Sequence, residues 1–571
     1  MAGPVSIAPF AASIEPHLVA LPVLLPLIAG ALAAAVGGWS RVLSQGIGIV
    51  ATLGHFLVCL LLLDIALSGE ISVYSMGNWA APFGIVLVLD RLSAMMILLT
   101  STLAVIGLLY ANAAWSDQGR RFQALWQFQI MGLSGAFLTG DLFNLFVFFE
   151  VLLAASYALL LHGGGRSRVG STFHFVVVNL TASAVFLFAI GLLYAVTGTL
   201  NMAHLAESIG LIAAEDVGLV AVAGILLLTV FLVKSGLAPF HFWVPASYGS
   251  AAAPVVALIV AKVGAYSIVR VFPLLFGAET GTDSAGVSGP AAALANLAQP
   301  WVFGLAMLTL MVGAAGTLAS QTLRQLAATL TLVSIGTLFV PLALGSVDSV
   351  SSAAFYLVHS TVATATLFLV AEWVGTHRGS RGDWLRPGQA ISHPILIGGA
   401  LLWAMITSVG LPPTSGFIGK ILVLESVTGF AGAGWYWAAI LVASFCSLVA
   451  VSRALSVLLW NHADEVPDDA EAAQPSQEHL LTPVQSRDGR AVGALVATAM
   501  VLVLSLGLVV MAGPIKAESD ELAKQITNKD GYIDAVLKRS EAFTPIVRPS
   551  PAQRPAAESE SGESPGSGGS Q

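Results

Sequence analysis

Long apolar runs recur along the chain from near His17 to near Met511. About fourteen of them are long enough to cross about 30 Å of hydrocarbon as helices. The runs are continuous and lack the alternation of a barrel strand, and lipid admits only helices or closed barrels. The pattern therefore predicts an all-α polytopic membrane protein with about fourteen transmembrane helices.

Two of the apolar runs are interrupted by glycine and proline. The interruptions read Ser235-Gly236-Leu237-Ala238-Pro239 and Ser408-Val409-Gly410-Leu411-Pro412-Pro413. Neither residue type continues a helix easily, and paired interruptions in corresponding places of two halves are typical of transport sites built on repeats. We predict broken helices in two inverted five-helix repeats, at residues 122–276 and 301–461. The candidate helix-breaking residues are Gly236, Pro239, Gly410, Pro412 and Pro413.

The remaining segments are divided by changes in polarity. Residues 71–88 mix glycine and proline with roughly alternating β-formers, which suits an external hairpin between the second and third spans. The predicted divisions are N-terminal helices 1–3 with this hairpin (1–121), an external linker (277–300), a cytoplasmic loop (462–490), the last transmembrane helix (491–514) and an external polar, largely disordered tail (515–571). We expect a charged helical segment after Gly513 and disorder over the last 25 or so residues.

Composition agrees with membrane insertion, since 56% of the residues are hydrophobic and only 10% are charged. No Lys or Arg precedes Arg41, so we expect the first apolar run to be retained as a helix and not cleaved as a signal peptide. An external N-terminus places twelve arginines in the predicted cytoplasmic connections and only Arg91 and Arg270 in the opposite ones. The positive-inside rule therefore predicts that both termini lie outside.

Ionisable residues inside the apolar runs are the strongest functional signal. Before position 516 the only lysines are Lys234, Lys262 and Lys420, and Glu150 lies in a similarly apolar run. A charge at the centre of a membrane helix costs roughly 2.5–3.5 kcal/mol. We interpret these residues, with His359 and its neighbouring hydroxyls, as candidates for a proton pathway.

Each candidate also has a structural interpretation. Glu150 could form an ion pair that only locks two helices together, and Lys234 could extend to an interface. Lys420 could pair locally with Glu425, and His359 could be a hydrogen-bonded core residue. Lys262 lies too far inside its run to reach either surface comfortably, so it suits a central relay.

Other kinds of chemistry find no support in the sequence. It contains no nucleotide-binding loop, redox-metal cluster or hydrolytic triad, and Cys59 and Cys446 are far apart without ligand-type neighbours. We therefore expect no cofactor, no bound metal and no nucleic-acid partner.

With these residues identified, the chain resembles the antiporter-like subunits of respiratory complex I, membrane hydrogenases and Mrp multisubunit cation/proton antiporters. It is most similar to the D-type subunits of the Mrp group, over about residues 20–512. The strings that carry the resemblance are Asp141-Leu-Phe-Asn-Leu-Phe-Val-Phe-Phe-Glu150, Tyr194-Ala-Val-Thr-Gly-Thr-Leu-Asn-Met-Ala-His-Leu205, Lys234-Ser-Gly-Leu-Ala-Pro-Phe-His-Phe-Trp243 and Gly410-Leu-Pro-Pro-Thr-Ser-Gly-Phe-Ile-Gly-Lys420.

The resemblance implies fourteen spans, a Glu150/Lys234 pair, a central Lys262 and a terminal Lys420. It also implies a bacterial cytoplasmic membrane and partner subunits of the A, B, C, E, F and G types, with H⁺ as the moving ion and the route of Na⁺ left open. One departure is Ala363, which stands where many relatives carry a lysine one helical turn after His359.

The resulting hypothesis is a secondary transporter subunit, not an enzyme: a proton-translocating membrane subunit of a multisubunit Na⁺(cation)/H⁺ antiporter. The first alternative is a proton-pumping subunit of a complex I-type or hydrogenase oxidoreductase, which would make the chain part of a translocase. The second is a non-conducting assembly or scaffold subunit.

Overall fold

The structure is a computed structural model that describes residues 15–79, 83–114, 119–259, 262–277, 293–378, 381–389, 391, 393–461 and 488–538. Most of the predicted linker and cytoplasmic loop, and the tail from residue 539 onward, lie outside the described residues.

The N-terminal part consists of three long helices and a short hairpin. The helices are α1 (Leu21–Val36), α2 (Arg41–Leu67) and α3 (Arg91–Ala114). Between α2 and α3, strands β1 (Ser72–Ser75) and β2 (Val86–Leu89) pair antiparallel, with Ser72 opposite Leu89. All four residues of β2 are buried, so this hairpin packs against the helices.

The region predicted as the first repeat contains eight α-helices, and a short 3₁₀ helix, Phe240–Phe242, precedes the sixth of them. The α-helices are α4 (Phe122–Leu138), α5 (Leu142–Leu160), α6 (Arg166–Thr197), α7 (Met202–Gly210), α8 (Val217–Ser235), α9 (Trp243–Ser250), α10 (Ala253–Ile259) and α11 (Lys262–Phe276). Asp141 caps α5, because its side chain accepts a hydrogen bond from the backbone N–H of Asn144 at 2.8 Å.

The region predicted as the second repeat contains six helices, and three more follow it. The six are α12 (Gln299–Ala319), α13 (Leu323–Leu344), α14 (Val347–Thr376), α15 (Pro394–Val409), α16 (Ser415–Ser426) and α17 (Ala433–Leu459). The last three are α18 (Asp488–Val510), α19 (Ala512–Thr527) and α20 (Lys529–Lys538).

The prediction of a helical, polytopic membrane protein is confirmed. Within the described residues, twelve helical stretches are long and apolar enough to cross a membrane. The 16-residue helix Pro394–Val409 is apolar but shorter, and Phe122–Leu138 has 17 residues. The count of about fourteen spans and the inverted relation of the two repeats stay predictions.

Both glycine/proline interruptions lie where a helix ends. Helix α8 ends at Ser235, followed by Gly236 with φ +72°, and α15 ends at Val409, followed by Gly410 with φ +80°. These positive φ values lie in the left-handed region that glycine adopts without a steric penalty. The chain resumes as α9 after the first interruption and as α16 after the second.

Helix α14 is the centre of the bundle. Nearly every residue along its 30-residue length is buried. It packs on α13, α15 and α16 of its own region, on α10 of the preceding region, and on α18 and α19. Groups carried by α14 can therefore reach both halves of the molecule.

Candidate functional site

Lys234 lies in the last turn of α8 with its side chain enclosed by α5 and α6. The residue is only 6% exposed. Its Nζ donates a hydrogen bond to Ser183 Oγ at 3.2 Å, and the Ser183 hydroxyl in turn donates to Glu150 Oε1. Among the described residues Lys234 and Glu150 form no direct ion pair. A serine hydroxyl on α6 therefore connects the acid on α5 to the base on α8.

Aromatic rings surround this acid–hydroxyl–base group. The Phe149 ring centroid lies 4.8 Å from Lys234 Nζ, close enough for a cation–π contact. Phe186 packs edge-on against both Phe149 and Phe231. This apolar shell lowers the local dielectric constant, so the interactions between the polar groups are stronger than they would be in water.

Lys262 is the most isolated of the three lysines. The residue is 3% exposed, and within the described part of the chain its Nζ has no hydrogen-bond partner. It lines a cavity of about 20 Å³ together with Thr100 of α3 and Thr361 of α14. A cavity of this size has room for about one water molecule, and the two hydroxyls supply polar partners for it.

His359 lies two residues before Thr361 on α14. Its Nδ1 is 2.9 Å from Ser415 Oγ, at the start of α16. Glycine at position 416 permits this approach, because a Cβ there would lie 3.0 Å from His359 Cε1 and 2.3 Å from the Thr407 carbonyl oxygen. A second cavity, of about 10 Å³, is lined by His359, Ser408 and Ala363.

Lys420 faces back toward the second interruption. Its Nζ donates to the carbonyl oxygen of Val409 and to Ser444 Oγ, both at 2.7 Å. Val409 is the last residue of α15, where a cation complements the unpaired carbonyl groups at the helix end. The alternative partner Glu425 is exposed, and the hydrogen bonds of Lys420 go elsewhere.

The candidate residues fall into two groups in space. Glu150 and Lys234 are joined through Ser183, while His359 and Lys420 both lie against the second interruption. Lys262 begins α11, which packs on the α8 helix of Lys234, and its cavity is also lined by α14, the helix of His359. The chain thus presents a series of basic and acidic groups separated by hydroxyls and small cavities, an arrangement suited to moving protons.

Sequence reasoning missed the hydroxyls that connect these groups. Ser183, Ser415 and Ser444 each bond to a candidate side chain. Most other Ser and Thr residues of the transmembrane helices bond to a backbone carbonyl one turn earlier, as Thr181 does with Val177. Nothing in the sequence separates the two uses, so only the packing of α6, α16 and α17 identifies the connecting serines.

Within the described residues, no group of three or more His, Cys, Asp or Glu side chains could hold a metal ion. The described cysteines, Cys59 and Cys446, are both free thiols. The polar groups of the candidate site are amines, a carboxyl, an imidazole and hydroxyls, and all of these can donate or accept a hydrogen-bonded proton in one of their protonation states.

Comparison with known proteins places the chain among membrane subunits of ion-translocating complexes. The sequence model of the family described as "NADH:quinone oxidoreductase/Mrp antiporter, TM" matches residues 139–449. The D-type subunit of a probable K⁺/H⁺ antiporter of Rhizobium meliloti (strain 1021) is 39% identical over 472 residues, which cover 76% of this chain and 86% of the relative. The D-type subunit of the Na⁺/H⁺ antiporter of Bacillus subtilis (strain 168) is 32% identical, covering 91% of this chain and 99% of the relative.

Two solved complexes contain chains of the same fold. One is the Mrp complex from Dietzia sp. DQ12-45-1b, with a TM-score of 0.75, 24% identity, and coverage of 92% of this chain and 99% of that chain. The other is respiratory complex I from Thermus thermophilus with bound NADH, with a TM-score of 0.68, 22% identity, and coverage of 89% and 99%. At these identities the structures establish the fold, while the family match and the relatives establish the lineage. The chain belongs to the NADH:quinone oxidoreductase/Mrp antiporter family of membrane subunits.

Proposed function

We propose that the chain is a proton-translocating subunit of a multisubunit Na⁺(cation)/H⁺ antiporter. The observation that carries the proposal is the Glu150–Ser183–Lys234 connection, in which a hydroxyl joins a carboxyl to an ammonium group inside an aromatic shell. A proton can pass between such groups when neighbouring charges change their relative proton affinities.

The proposed route continues from Lys234 to Lys262, His359 and Lys420. Water in the cavities beside Lys262 and His359 would bridge the gaps, since both cavities are lined by hydroxyls. The two helix interruptions would supply backbone carbonyl groups and room for rearrangement at either end of the route.

The relatives named above are subunits of K⁺/H⁺ and Na⁺/H⁺ antiporters. On that basis we propose that the chain works in a bacterial cytoplasmic membrane, with both termini outside, together with other Mrp-type subunits. In this role it is a secondary transporter subunit and not an enzyme.

A redox-driven role is the second candidate, because the fold is shared with a chain of respiratory complex I. The same buried groups would then pump protons with energy supplied by partner subunits. Purification from the native membrane in mild detergent, with mass spectrometry of the stable partners, separates the two. Small hydrophobic subunits and a larger homologous chain support the antiporter, whereas stoichiometric flavin or iron–sulfur subunits support the oxidoreductase.

The functional test is cation-driven proton movement in everted membrane vesicles containing the whole complex. We expect Lys234→Ala and Glu150→Ala to abolish exchange while the complex still assembles. Glu425→Ala, a change at an exposed carboxylate, is the control and should exchange at the normal rate. Normal exchange in both the Lys234 and Glu150 variants would refute the pathway.

A further inference from the structure

A second set of buried charges surrounds the turn at residues 250–253, between α9 and α10. This turn lies between two residues of the proposed pathway along the chain. Lys234 near the end of α8 precedes α9 and the turn, and α10 and then Lys262 at the start of α11 follow it. Neither the sequence motifs nor the proposed proton route uses these charges.

Arg168 of α6 holds the end of α9. It is 2% exposed, and its Nε donates to the carbonyl oxygen of Ser250, the last residue of α9, at 3.2 Å. Its Nη1 donates to the carbonyl oxygen of His162, and Ser171 Oγ lies 2.5 Å from Ser250 Oγ. A cation therefore lies at the carboxyl end of α9, where the helix dipole favours positive charge.

Glu372 of α14 holds the beginning of α10. It is also 2% exposed, and its Oε2 accepts a hydrogen bond from the backbone N–H of Ala253, the first residue of α10, at 2.8 Å. An anion at this position satisfies one of the unpaired N–H groups of the helix start. The turn is thus held from α6 on one side and from α14 on the other.

Other charged and titratable groups face Glu372 from the neighbouring helices. Arg324 Nη2 of α13 is 3.6 Å from Glu372 Oε2, and Arg324 Nε is 3.8 Å from Asp383 Oδ2. Tyr110 of α3 and Arg168 of α6 are near enough to interact electrostatically with the Glu372 carboxylate. Cationic side chains from two helices, Arg324 of α13 and Arg168 of α6, therefore lie near the carboxylate that caps α10.

We propose that Arg168 and Glu372 are positioning residues that fix the turn at 250–253 and thereby set the placement of Lys262 relative to Lys234. The inference rests on the proposed proton pathway. Helix α14 carries Glu372 and also His359, so the same contact places Lys262 against its cavity on α14. A displacement of about 1 Å between reacting groups lowers the rate of a transfer step by about 100-fold.

The test measures exchange and its pH dependence in vesicles containing the complete complex, normalised to the amount of complex. We expect Glu372→Ala and Arg168→Ala each to lower exchange by about 100-fold and to shift its pH profile, because the pathway lysines have moved. Since both residues hold one turn, the double variant should lose no more than either single variant. Asp348→Ala, at an exposed position of α14, is the matched control.

Conservative replacements distinguish positioning from charge transfer. Glu372→Gln keeps an oxygen that can accept the hydrogen bond from the Ala253 N–H, so it should retain most of the exchange activity. Glu372→Met has no such acceptor, so it should lose that activity. The same pair of variants serves if the alanine variants fail to assemble. Equal exchange in the Gln and Met variants, an unchanged pH profile, or a double variant as slow as the product of the single effects would overturn the inference.

The experiments distinguish an error in the positioning role of Arg168 and Glu372 from an error in the proton pathway itself. If Lys234→Ala abolishes exchange and Glu372→Met leaves it unchanged, the pathway stands and only the positioning role falls. If Lys234→Ala exchanges normally, the proposed function falls first.

Discussion

The two helix interruptions have similar sequences, but the lysines beside them make different contacts. At the first, Lys234 donates to Ser183, and the Ser183 hydroxyl in turn donates to Glu150. At the second, Lys420 itself bonds to the carbonyl oxygen of Val409. The first lysine has an acidic counterpart, whereas the second is held by neutral oxygens.

This difference implies different roles within the proposed route. A lysine coupled to a carboxyl group can change its proton affinity when that acid moves or is neutralised. A lysine held by a helix end and a serine responds chiefly to the geometry of the interruption. We infer that the first interruption is the point of control and the second a terminal exchange site.

The largest expected effect is that of Glu150→Gln. The amide keeps the size of the side chain but can no longer take up a proton, so exchange should fall by about 100-fold or more. Proton uptake by vesicles, normalised to complex content, measures it. Exchange near the wild-type rate would show that the acidic counterpart of Lys234 is not needed, which would contradict the different roles inferred for the two interruptions.

Gly416→Ala tests the second interruption. The new Cβ would lie 2.3 Å from the Thr407 carbonyl oxygen and 3.0 Å from His359 Cε1, so α16 must shift. We expect a loss of about 1–3 kcal/mol in stability, together with impaired exchange, measured by thermal unfolding of the complex and by vesicle assay. Gly399→Ala on α15 is the control, since a Cβ there meets nothing within 4 Å; equal behaviour of the two variants would contradict the tight packing at His359.

Ser183→Ala isolates the hydroxyl bridge. It removes the group that joins Lys234 to Glu150 but keeps both ionisable side chains, so we expect exchange to fall by about tenfold, a loss at the level of one or two hydrogen bonds. Ser183→Thr retains a hydroxyl and should be nearer to wild type. Ser444→Ala should have a smaller effect than Ser183→Ala, because Lys420 keeps its bond to Val409. The opposite order would assign control to the second interruption.

The smallest effect concerns Asp520 on α19, the helix that follows the last apolar span. Burial alone would raise the pKa of Asp520, but hydrogen bonds from Lys516 and Ser351 outweigh it, so the pKa lies below its usual value. The stabilisation is therefore present at neutral pH and is lost as the pH falls through this lowered pKa. Because the carboxylate is partly exposed, Asp520→Asn should cost less than about 1 kcal/mol. Thermal unfolding at neutral and acidic pH measures this cost, and an equal loss at both pH values would contradict this contact.

The sequence predicted the helical membrane architecture because hydrocarbon leaves the backbone few alternatives. It also identified Lys234 and Lys420 as unusual, since a buried charge is expensive wherever it occurs. It could not identify Ser183 as the partner of Lys234, because the two residues lie 51 positions apart and meet only through the packing of α6 on α8.

The sequence alone could not identify the role of Glu372 either. Its partner Ala253 is an ordinary alanine whose backbone N–H, not its side chain, makes the contact. A contact to a backbone group does not depend on the residue type of the partner, so it can be identified only from the three-dimensional structure.

The central claim is that Glu150 changes its protonation state during exchange. Infrared difference spectroscopy of the reconstituted complex, recorded as a cation gradient is applied, tests it most directly. The account predicts a carboxyl band that appears in the wild-type complex and is absent from Glu150→Gln. The same band, unchanged in the Glu150→Gln complex, would contradict it.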